Sequence, residues 1–262
     1  MSILINQNTK YLIQGITGKE GQRAAAFMKA AGGVLIGGVR PGKAGEVVEG
    51  VPVFNTVKDV IAQSPVPSSQ SPLVSVIIVP PLVVKGAVIE AIDAGVPFII
   101  PIAEGVPVHD TAYLIAYAKE KGARILGPNT VGLISPGKSK AGVIGGQDNR
   151  SFSPGSVGII SKSGGMTSET ARLLTRAGIG QSTCVNIGGD KLIGTDFVDC
   201  LELFAEDEET KAVVLFGEIG GTYEEQAAEY IQSSGFKKPV IALFQVSLRN
   251  ALKVFLWGMR ER

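Results

Sequence analysis

The 262-residue sequence is poor in histidine, cysteine and net charge. It contains one histidine and two cysteines, and its formal net charge is +1. A single histidine excludes metal sites built from several histidines, and a serine or cysteine triad would have to use His109. Two cysteines are too few for a disulfide framework. A nearly neutral chain also lacks the basic surface that nucleic-acid binding requires.

Long hydrophobic runs are missing as well. No apolar stretch reaches the length that spans a bilayer, and residues 1–6 lack the basic, apolar and small-residue regions of a signal peptide. We therefore expect a cytoplasmic protein that binds neither membranes nor nucleic acid. The length allows one large domain or two ordinary ones.

Glycine, in contrast, is abundant. The chain has 34 glycines, about twice the usual share of roughly 7%. Short β-branched runs that are apolar on both faces alternate with helical stretches, which is typical of buried parallel strands joined by right-handed crossovers. In the first half the predicted strands are 11–16, 34–39, 73–79, 98–102 and 124–126, and the predicted helices are 22–31, 57–63, 83–94 and 111–121.

A second α/β series follows a passage at 132–155 that shows little periodicity, and we predict this passage to be the connection between two domains. Residues 64–72 are predicted to form a solvated loop. The second series has four predicted strands, 157–161, 182–187, 212–216 and 240–244, and three predicted helices, 166–177, 196–206 and 223–234.

The first predicted strand ends in a glycine-rich turn, 15–21, that opens a helix. Small residues there would let backbone N–H groups face an anion, although tight packing of helix against strand explains such a turn equally well. An NAD enzyme places an acidic residue at the end of the second strand. This chain has Arg40 and Lys43 instead, which suit a ribose phosphate or, alternatively, a solvated turn.

Three strand ends in the second half carry similar loops, 161–165, 188–190 and 217–222. The carboxyl ends of parallel strands converge on one crevice, so these loops predict a site. Ser163 and Gly164 could bind phosphate at a helix N-terminus. Glu218 could orient a base or bind a metal, or it could cap the helix that begins near Tyr223.

The histidine and the cysteines are expected to be structural. His109 precedes a predicted helix whose N-cap would be Asp110 or Thr111, so we expect a partly exposed residue rather than a catalytic base. Cys184 and Cys200 have apolar neighbours and are predicted to lie in the core.

Several motifs, in unbroken order from residue 1 to about 244, resemble the α subunit of succinyl-CoA synthetase (succinate–CoA ligase). They include Gln14-Gly15-Ile16-Thr17-Gly18, Gly37-Gly38-Val39-Arg40-Pro41-Gly42-Lys43, Gly50-Val51-Pro52-Val53-Phe54-Asn55-Thr56, Gly127-Pro128-Asn129, Gly180-Gln181-Ser182-Thr183-Cys184 and Gly217-Glu218-Ile219-Gly220-Gly221.

The resemblance implies an α/β fold with a Rossmann-like CoA-binding domain at 1–130 and an incomplete flavodoxin-like ligase domain at 131–244, followed by an aberrant tail at 245–262. It implies a β subunit as partner in a heterodimer or heterotetramer, with ATP or GTP and Mg bound through that subunit. Enzymes of this family make an acyl-CoA from a carboxylate and CoA through an acyl phosphate and a phosphohistidine.

Site residues carried over from the resemblance fall into two groups, and no metal ligand is among them. Ser163 and Gly164 would form the phosphate site, and Glu218 would hydrogen-bond the phosphorylated histidine. The residues expected to bind CoA are Thr17, Gly18, Lys19, Glu20, Lys43, Ile102, Ala103 and Glu104.

Two residues depart locally from the family pattern, and one of them affects the expected substrate. Ser168 stands where the succinate enzyme commonly has a tyrosine, so succinate is the leading acid, with citryl-CoA and malyl-CoA synthetases as alternatives. Thr130 replaces a common cysteine, with no consequence that the sequence shows.

A larger departure concerns the histidine loop that the family carries after the strand matching 240–244. Residues 245–262 contain no histidine, so this chain is expected to bind CoA but to be inactive in phosphoryl transfer. The tail could be a divergent terminal helix, since its residues are good helix formers. Either way, a sheet that stops at this strand would leave an edge uncovered.

We also hypothesise a frameshift in the tail. In the neighbouring reading frame, codons for 256–262 allow Met, Gly, His, Ala, Gly and then Ala or Thr, which is the missing loop. Sequencing the gene across the codon for Gln245 tests this, and stop codons in that frame would refute it.

Two further function classes stay open. One is a CoA-binding regulatory module without catalytic duty, which the same gene sequence would distinguish. The other is an NAD(P)-binding oxidoreductase, which a titration with CoA against NADP would distinguish.

Overall fold

Two sheets dominated by parallel strands, both flanked by helices, form the molecule. The computed structural model describes residues 2–64, 72–147, 149–245 and 252–257. The strands of the first sheet are β1 (Lys10–Gln14), β2 (Val34–Val39), β3 (Val47–Val48), β4 (Val51–Phe54), β5 (Leu73–Ile77), β6 (Phe98–Pro101) and β7 (Arg124–Ile125). Its helices are α1 (Lys19–Ala30), α2 (Val57–Gln63), α3 (Val84–Asp93) and α4 (Val108–Lys121), with a 3₁₀ turn at Pro81–Val83.

The first sheet has the order β3-β4-β2-β1-β5-β6-β7. All neighbours are parallel except the β3–β4 hairpin. Without β3, the chain order of these strands is 3-2-1-4-5-6, the doubly wound dinucleotide-binding order. The predicted Rossmann-like class is confirmed.

The second sheet has the order β14-β13-β12-β10-β11-β8-β9. Its strands are β8 (Gly132–Ser135), β9 (Ser139–Gly142), β10 (Pro154–Ser161), β11 (Gln181–Asn186), β12 (Ala212–Gly217), β13 (Val240–Gln245) and β14 (Leu252–Trp257). Its helices are α5 (Gly164–Arg176), α6 (Phe197–Glu206) and α7 (Tyr223–Ser233), with a 3₁₀ turn at Asn149–Ser151. The four parallel strands follow the order 2-1-3-4, the first four positions of the flavodoxin-like order.

The passage at 132–155 is not the irregular connection that we predicted. It contains the β8–β9 hairpin, which pairs antiparallel with β11 through Ile134 and Cys184. The sequence pattern does not predict the hairpin because glycines lie at both of its ends, and glycine has low strand propensity. Gly132 has φ 93°, and a Cβ there would lie 2.0 Å from the carbonyl oxygen of Ala141.

The tail also differs from the prediction of a terminal helix. Residues 252–257 form β14, which runs antiparallel to β13 with Val240 opposite Trp257. Valine, phenylalanine and tryptophan favour strands, and the edge of β13 offers unpaired backbone groups. The edge that we expected to be uncovered is therefore paired, and β14 becomes the outer strand. Residues 246–251 and 258–262 of the tail, and 65–71 of the predicted loop, lie outside the described residues.

One continuous core joins the two sheets. The same apolar cluster contains Ile13 and Ile100 of the first sheet and Ile160 and Leu215 of the second. Fully burying side chains of this size stabilises a fold by about 1.5–3 kcal/mol each. The Tyr11 hydroxyl also meets Ser139 Oγ at 2.6 Å, and burial raises the pKa of Tyr11. The sheets are thus held as one packed unit.

Both cysteines are buried, as predicted, and burial raises the pKa of the Cys184 and Cys200 thiols. The predicted N-cap of α4 is wrong: the cap is Pro107, so His109 and Asp110 lie inside the first turn. Pro107 has a ψ of 132°, so its backbone is not yet helical, and its missing N–H removes one of the donors that a helix start leaves unsatisfied.

Candidate functional site

The loops that follow β1, β2, β5 and β6 meet at one edge of the first sheet. The Gly15 N–H donates to the Val39 carbonyl at 2.9 Å, the Ile78 N–H to the Gln14 carbonyl at 2.9 Å, and the Ile102 N–H to the Ile77 carbonyl at 3.0 Å. These bonds continue the parallel ladders beyond the strands. The turn at 15–21, the Arg40–Lys43 turn and Ile102 therefore share the C-terminal edge of this sheet.

Two glycines of the turn at 15–21 have different roles: one is required by packing, and the other leaves the helix start without a side-chain cap. Gly15 has φ 84°, and a Cβ there would lie 2.1 Å from the Ile78 carbonyl oxygen, so packing requires glycine. Gly18 is the N-cap of α1, with an ordinary φ of −69° and no side chain capping the helix. The N–H groups of the first turn thus carry no side-chain cap, which is the geometry that binds anions.

The side chains around this helix start are solvent-exposed. Lys19 and Glu20 are exposed and Thr17 is half-buried, and Glu20 pairs with Arg23 at 3.1 Å. Lys43 Nζ lies 2.7 Å from Glu46 Oε1, with both side chains about half exposed. A surface pair of this kind contributes little to stability, so Lys43 can exchange this partner for another anion.

A cavity of about 370 Å³ lies where the C-terminal edges of the two sheets face each other. It brings together Ile102 and Glu104 of the first sheet with Ser163, Gly164 and Glu218 of the second, whereas the predicted CoA residues at 17–20 and Lys43 do not line it. Ala103 does not line the cavity. Its carbonyl accepts the N–H of the lining residue Asn129 at 3.0 Å. We call this space the inter-sheet cavity; its lining residues are Ile102, Glu104, Asn129, Thr130, Val131, Lys162, Ser163, Gly164, Asn186, Gly189 and Glu218.

Helix α5 begins at the wall of the inter-sheet cavity. Ser163 is its N-cap, and Ser163 Oγ accepts the Met166 N–H at 3.5 Å, which is a long hydrogen bond. A Cβ on Gly164 would lie 2.8 Å from Val131 Cγ1, so glycine lets the helix start pack against the residue that directly precedes β8. The arrangement offers a hydroxyl and helix N–H groups to an anion.

An amide network that the residue patterns did not predict joins the two halves of the cavity. Asn186 Oδ1 accepts the Val131 N–H at 2.9 Å, and Asn186 Nδ2 donates to the Ser161 carbonyl at 2.9 Å. Thr130 Oγ1 donates to the Asn186 carbonyl at 2.5 Å, which gives Thr130 a structural role. Asn129 Nδ2 donates to Asp190 Oδ1 at 2.8 Å. A buried asparagine at the end of an apolar strand was the available signal.

Lys162 was also missed. Its side chain is buried, and Nζ donates to the Gly220 carbonyl at 2.8 Å. The possibility that Glu218 caps α7 is wrong, because the N-cap is Thr222. Instead, the Glu218 N–H donates to Glu224 Oε1 at 3.1 Å, and Glu218 contributes to the wall of the cavity.

His109 lies away from the cavity. Its side chain is 82% exposed, with Nε2 3.2 Å from Asp110 Oδ1. A hydrogen bond from Lys85 lowers the pKa of Asp110. In the described ranges, no three acidic, histidine or cysteine side chains form a group that could hold a metal ion, and no helix there has the length and apolar character needed to cross a bilayer.

Family comparisons divide the chain in the same way as the two sheets. The CoA binding domain family matches residues 6–105, and the CoA-ligase family matches residues 160–245. The chain therefore contains a CoA-binding domain and a ligase domain. The predicted boundaries at 130/131 and 244/245 stay predictions.

Several curated proteins are similar to this chain over most of its length. Succinate–CoA ligase (ADP-forming) subunit alpha 1 of Archaeoglobus fulgidus is 45% identical over 242 residues, which are 92% of this chain and 79% of that protein. The alpha subunit of the same enzyme from Aquifex aeolicus is 44% identical, over 92% of this chain and 77% of that protein. The corresponding Staphylococcus aureus subunit is 44% identical, over 92% of this chain and 76% of that protein.

Solved structures show the same fold at lower identity. ATP citrate lyase of Methanosaeta concilii in complex with (3S)-citryl-CoA has a TM-score of 0.83 at 24% identity, covering 93% of this chain and 41% of that chain. A dinucleotide-forming acetyl-coenzyme A synthetase from Ca. Korarchaeum cryptofilum has a TM-score of 0.70 at 24% identity, covering 92% and 51%. The present chain spans about half or less of these larger proteins, and the likeness concerns the fold.

Proposed function

Because this chain belongs to the family of succinate–CoA ligase α subunits, we propose that it brings bound CoA to a phosphate-binding site at the interface between its two domains. One observation carries the proposal. The inter-sheet cavity places Ile102 and Glu104 of the CoA-binding domain opposite Ser163, Gly164 and Glu218 of the ligase domain. A thiol delivered from one edge would meet an acyl phosphate held at the other.

The C-terminal edge of the first sheet is proposed to hold CoA. The first turn of α1, with Thr17, Gly18, Lys19 and Glu20, would receive a phosphate group, since Gly18 provides no side-chain cap. Lys43 would bind the phosphorylated nucleotide end by exchanging its exposed partner Glu46. Ile102, Ala103 and Glu104 would line the path of the thiol arm into the cavity.

The start of α5 is proposed to hold the transferred phosphoryl group. The helix N-terminus attracts negative charge, and Ser163 adds a hydroxyl within the cavity. Glu218 would accept a hydrogen bond from a histidine base that receives this group. The only histidine of the sequence is His109, in the exposed first turn of α4, so we propose that this chain is not itself phosphorylated.

The remaining parts of the reaction are assigned to a partner. A β subunit is proposed to bind ATP or GTP with Mg, in a heterodimer or heterotetramer. Succinate is the proposed acid, and a citryl-CoA or malyl-CoA synthetase is the second candidate because Ser168 departs from the family's tyrosine. A cytoplasmic location is proposed as well, in keeping with two free cysteines buried in the core.

A matched pair of lysine variants tests CoA binding. Lys43→Ala is expected to weaken CoA binding about tenfold, the effect of losing one charge-assisted hydrogen bond, and to reduce its salt dependence. Lys121→Ala removes an equally exposed cation at the far end of α4 and is expected to change nothing. Calorimetric titration at two salt concentrations measures both. Equal affinity of the two variants would contradict the assigned CoA site.

Phosphorylation tests the second half of the proposal. The chain, purified with a β subunit and incubated with γ-labelled ATP and Mg, is expected to take up no label. An acid-labile phosphate on this chain would refute the proposal that the chain is not phosphorylated. That result would leave the proposed CoA site standing.

A further inference from the structure

A buried ion pair lies beneath the loop that carries Glu218. The side chains of Lys162 and Glu224 are 2% and 12% exposed, and Nζ lies 3.5 Å from Oε1. The desolvation of two buried charges offsets most of their attraction, so such a pair is weak evidence for stability. The hydrogen bonds that the pair makes to its neighbours indicate its role better.

Both partners form hydrogen bonds with the same loop. Lys162 Nζ donates to the Gly220 carbonyl at 2.8 Å, and Glu224 Oε1 accepts the Glu218 N–H at 3.1 Å. Lys162 directly precedes the N-cap of α5, and Glu224 lies in the first turn of α7. The pair therefore ties the loop after β12 to the start of α5.

The sequence leaves room for this arrangement. A Cβ on Gly217 would lie 2.7 Å from Cγ of Glu224, so glycine at the end of β12 allows the glutamate to fold back. Gly220 and Gly221 have φ angles of 116° and 88°, which side chains rarely adopt. The ring of Tyr223 covers the ammonium group, with its centroid 5.9 Å from Nζ.

Lys162 is the one cationic side chain among the described residues that line the inter-sheet cavity. Its ammonium group is occupied by Glu224 and Gly220. We propose that Lys162 and Glu224 are positioning residues that hold Glu218 at the cavity wall beside the start of α5. They act on a bound phosphoryl group through Glu218 and not as direct ligands. This inference rests on the proposed function, because the phosphate site at α5 is part of it.

A double variant separates positioning from simple stability. Lys162→Met alone leaves a buried, unpaired carboxylate, which can prevent folding. Lys162→Met with Glu224→Met keeps the volume, leaves no unpaired charge and removes the acceptor of the Glu218 N–H. Lys162→Arg keeps the cation, and Glu225→Gln changes an exposed carboxylate next along α7. The last two serve as controls.

Two measurements report on the loop itself. Hydrogen exchange of residues 217–222 is expected to be about tenfold faster in the double variant, because one charge-assisted hydrogen bond is lost. The amide proton resonance of Glu218 is expected to move upfield for the same reason. Lys162→Arg and Glu225→Gln are expected to match the original chain. An unchanged amide resonance and exchange rate in the double variant would overturn the inference.

Titration with inorganic phosphate links the loop to the site. Phosphate affinity is expected to fall about tenfold in the double variant, because a Glu218 carboxylate that is no longer held can compete with phosphate for the start of α5. Lys162→Arg is expected to keep the affinity of the original chain. If Ser163→Ala weakens phosphate binding and the double variant does not, the inference fails while the proposed phosphate site stands. If the original chain binds no phosphate, the proposed site fails, and the Glu218 amide signal alone decides whether the pair positions the loop.

Discussion

Helices α1 and α5 both begin at the C-terminal end of a parallel strand, but they begin differently. At α1 the cap is Gly18, without a side-chain hydrogen bond, and Lys19 and Glu20 are exposed. At α5 the cap is Ser163, the preceding Lys162 is buried, and Glu224 in the first turn of α7 pairs with it. Backbone groups therefore form the start of α1, whereas polar side chains surround the start of α5.

The difference fits two kinds of anion. An open helix start with exposed cations suits a large ligand whose charged groups stay near water, where charges cost little to bind. A start enclosed by buried polar groups suits a small group taken out of water, where each interaction is stronger because the local dielectric is lower. The comparison therefore supports the assignment of CoA to the first edge and of phosphoryl transfer to the second.

The largest expected effect comes from the turn before α1. Gly15→Ala is expected to lower the free energy of unfolding by at least about 3 kcal/mol and to abolish CoA binding, because its Cβ would overlap the Ile78 carbonyl oxygen. Gly18→Ala, where a Cβ would lie 3.4 Å from the Gly15 carbonyl oxygen, is expected to fold normally. Urea denaturation and CoA titration measure both. Equal stability of the two variants would contradict the packing argument.

The contact between α1 and β9, which belong to different sheets, predicts a pH effect. Lys140 of β9 is fully buried, with Nζ 5.4 Å from the centroid of Phe27 in α1, and burial lowers its pKa to about 8. Between that pH and the ordinary pKa of lysine, the unfolded chain binds more protons than the folded chain, so stability rises with pH across this window. Below it, the full penalty for the buried charge applies.

Substitution of Lys140 measures this contribution. The gain across the window is expected to be roughly 2 kcal/mol, after allowance for partial solvent screening, and to be missing in Lys140→Met. The exposed Lys58 supplies the control variant Lys58→Met, which is expected to keep the slope. Urea midpoints from pH 7.5 to 10.5 provide the comparison. The same slope in Lys140→Met and in the original chain would refute the assignment.

The smallest effects are expected from substitutions at the two N-caps. Ser163→Ala is expected to cost about 0.5–1 kcal/mol, at the low end for an N-cap because its hydrogen bond is long. Gly18→Ser is expected to stabilise α1 by a few tenths of a kcal/mol while weakening CoA binding severalfold, because the new hydroxyl would compete for the first-turn N–H groups. Thermal melting and CoA titration distinguish the two. A stronger affinity for CoA in Gly18→Ser would contradict the open-cap interpretation.

Most of the parallel framework could be predicted from the sequence. The apolar run at Val34–Val39 and the helix at Val57–Gln63 have the predicted bounds, because buried parallel strands and amphipathic helices leave strong local patterns. The candidate site residues Ser163 and Glu218 could be predicted for a related reason. Parallel strands bring their carboxyl ends to one edge whatever the details of packing.

Other elements left no local pattern. The β8–β9 hairpin is short and ends in glycines, so only pairing with β11 makes it a strand. The tail strand β14 consists of residues that also suit a helix, and the free edge of β13 decides between the two. For both elements the outcome depends on hydrogen-bond partners that are distant in the chain.

The sequence by itself determined the α/β class, the two glycine-rich helix starts and the candidate anion-binding residues, because propensity and periodicity are local properties. Only the tertiary structure decided that the two edges face each other across one cavity, that Asn129 joins them, and that Lys162 pairs with Glu224. A buried polar group must find its partner in space. That partner can lie anywhere along the chain, so no local pattern specifies it.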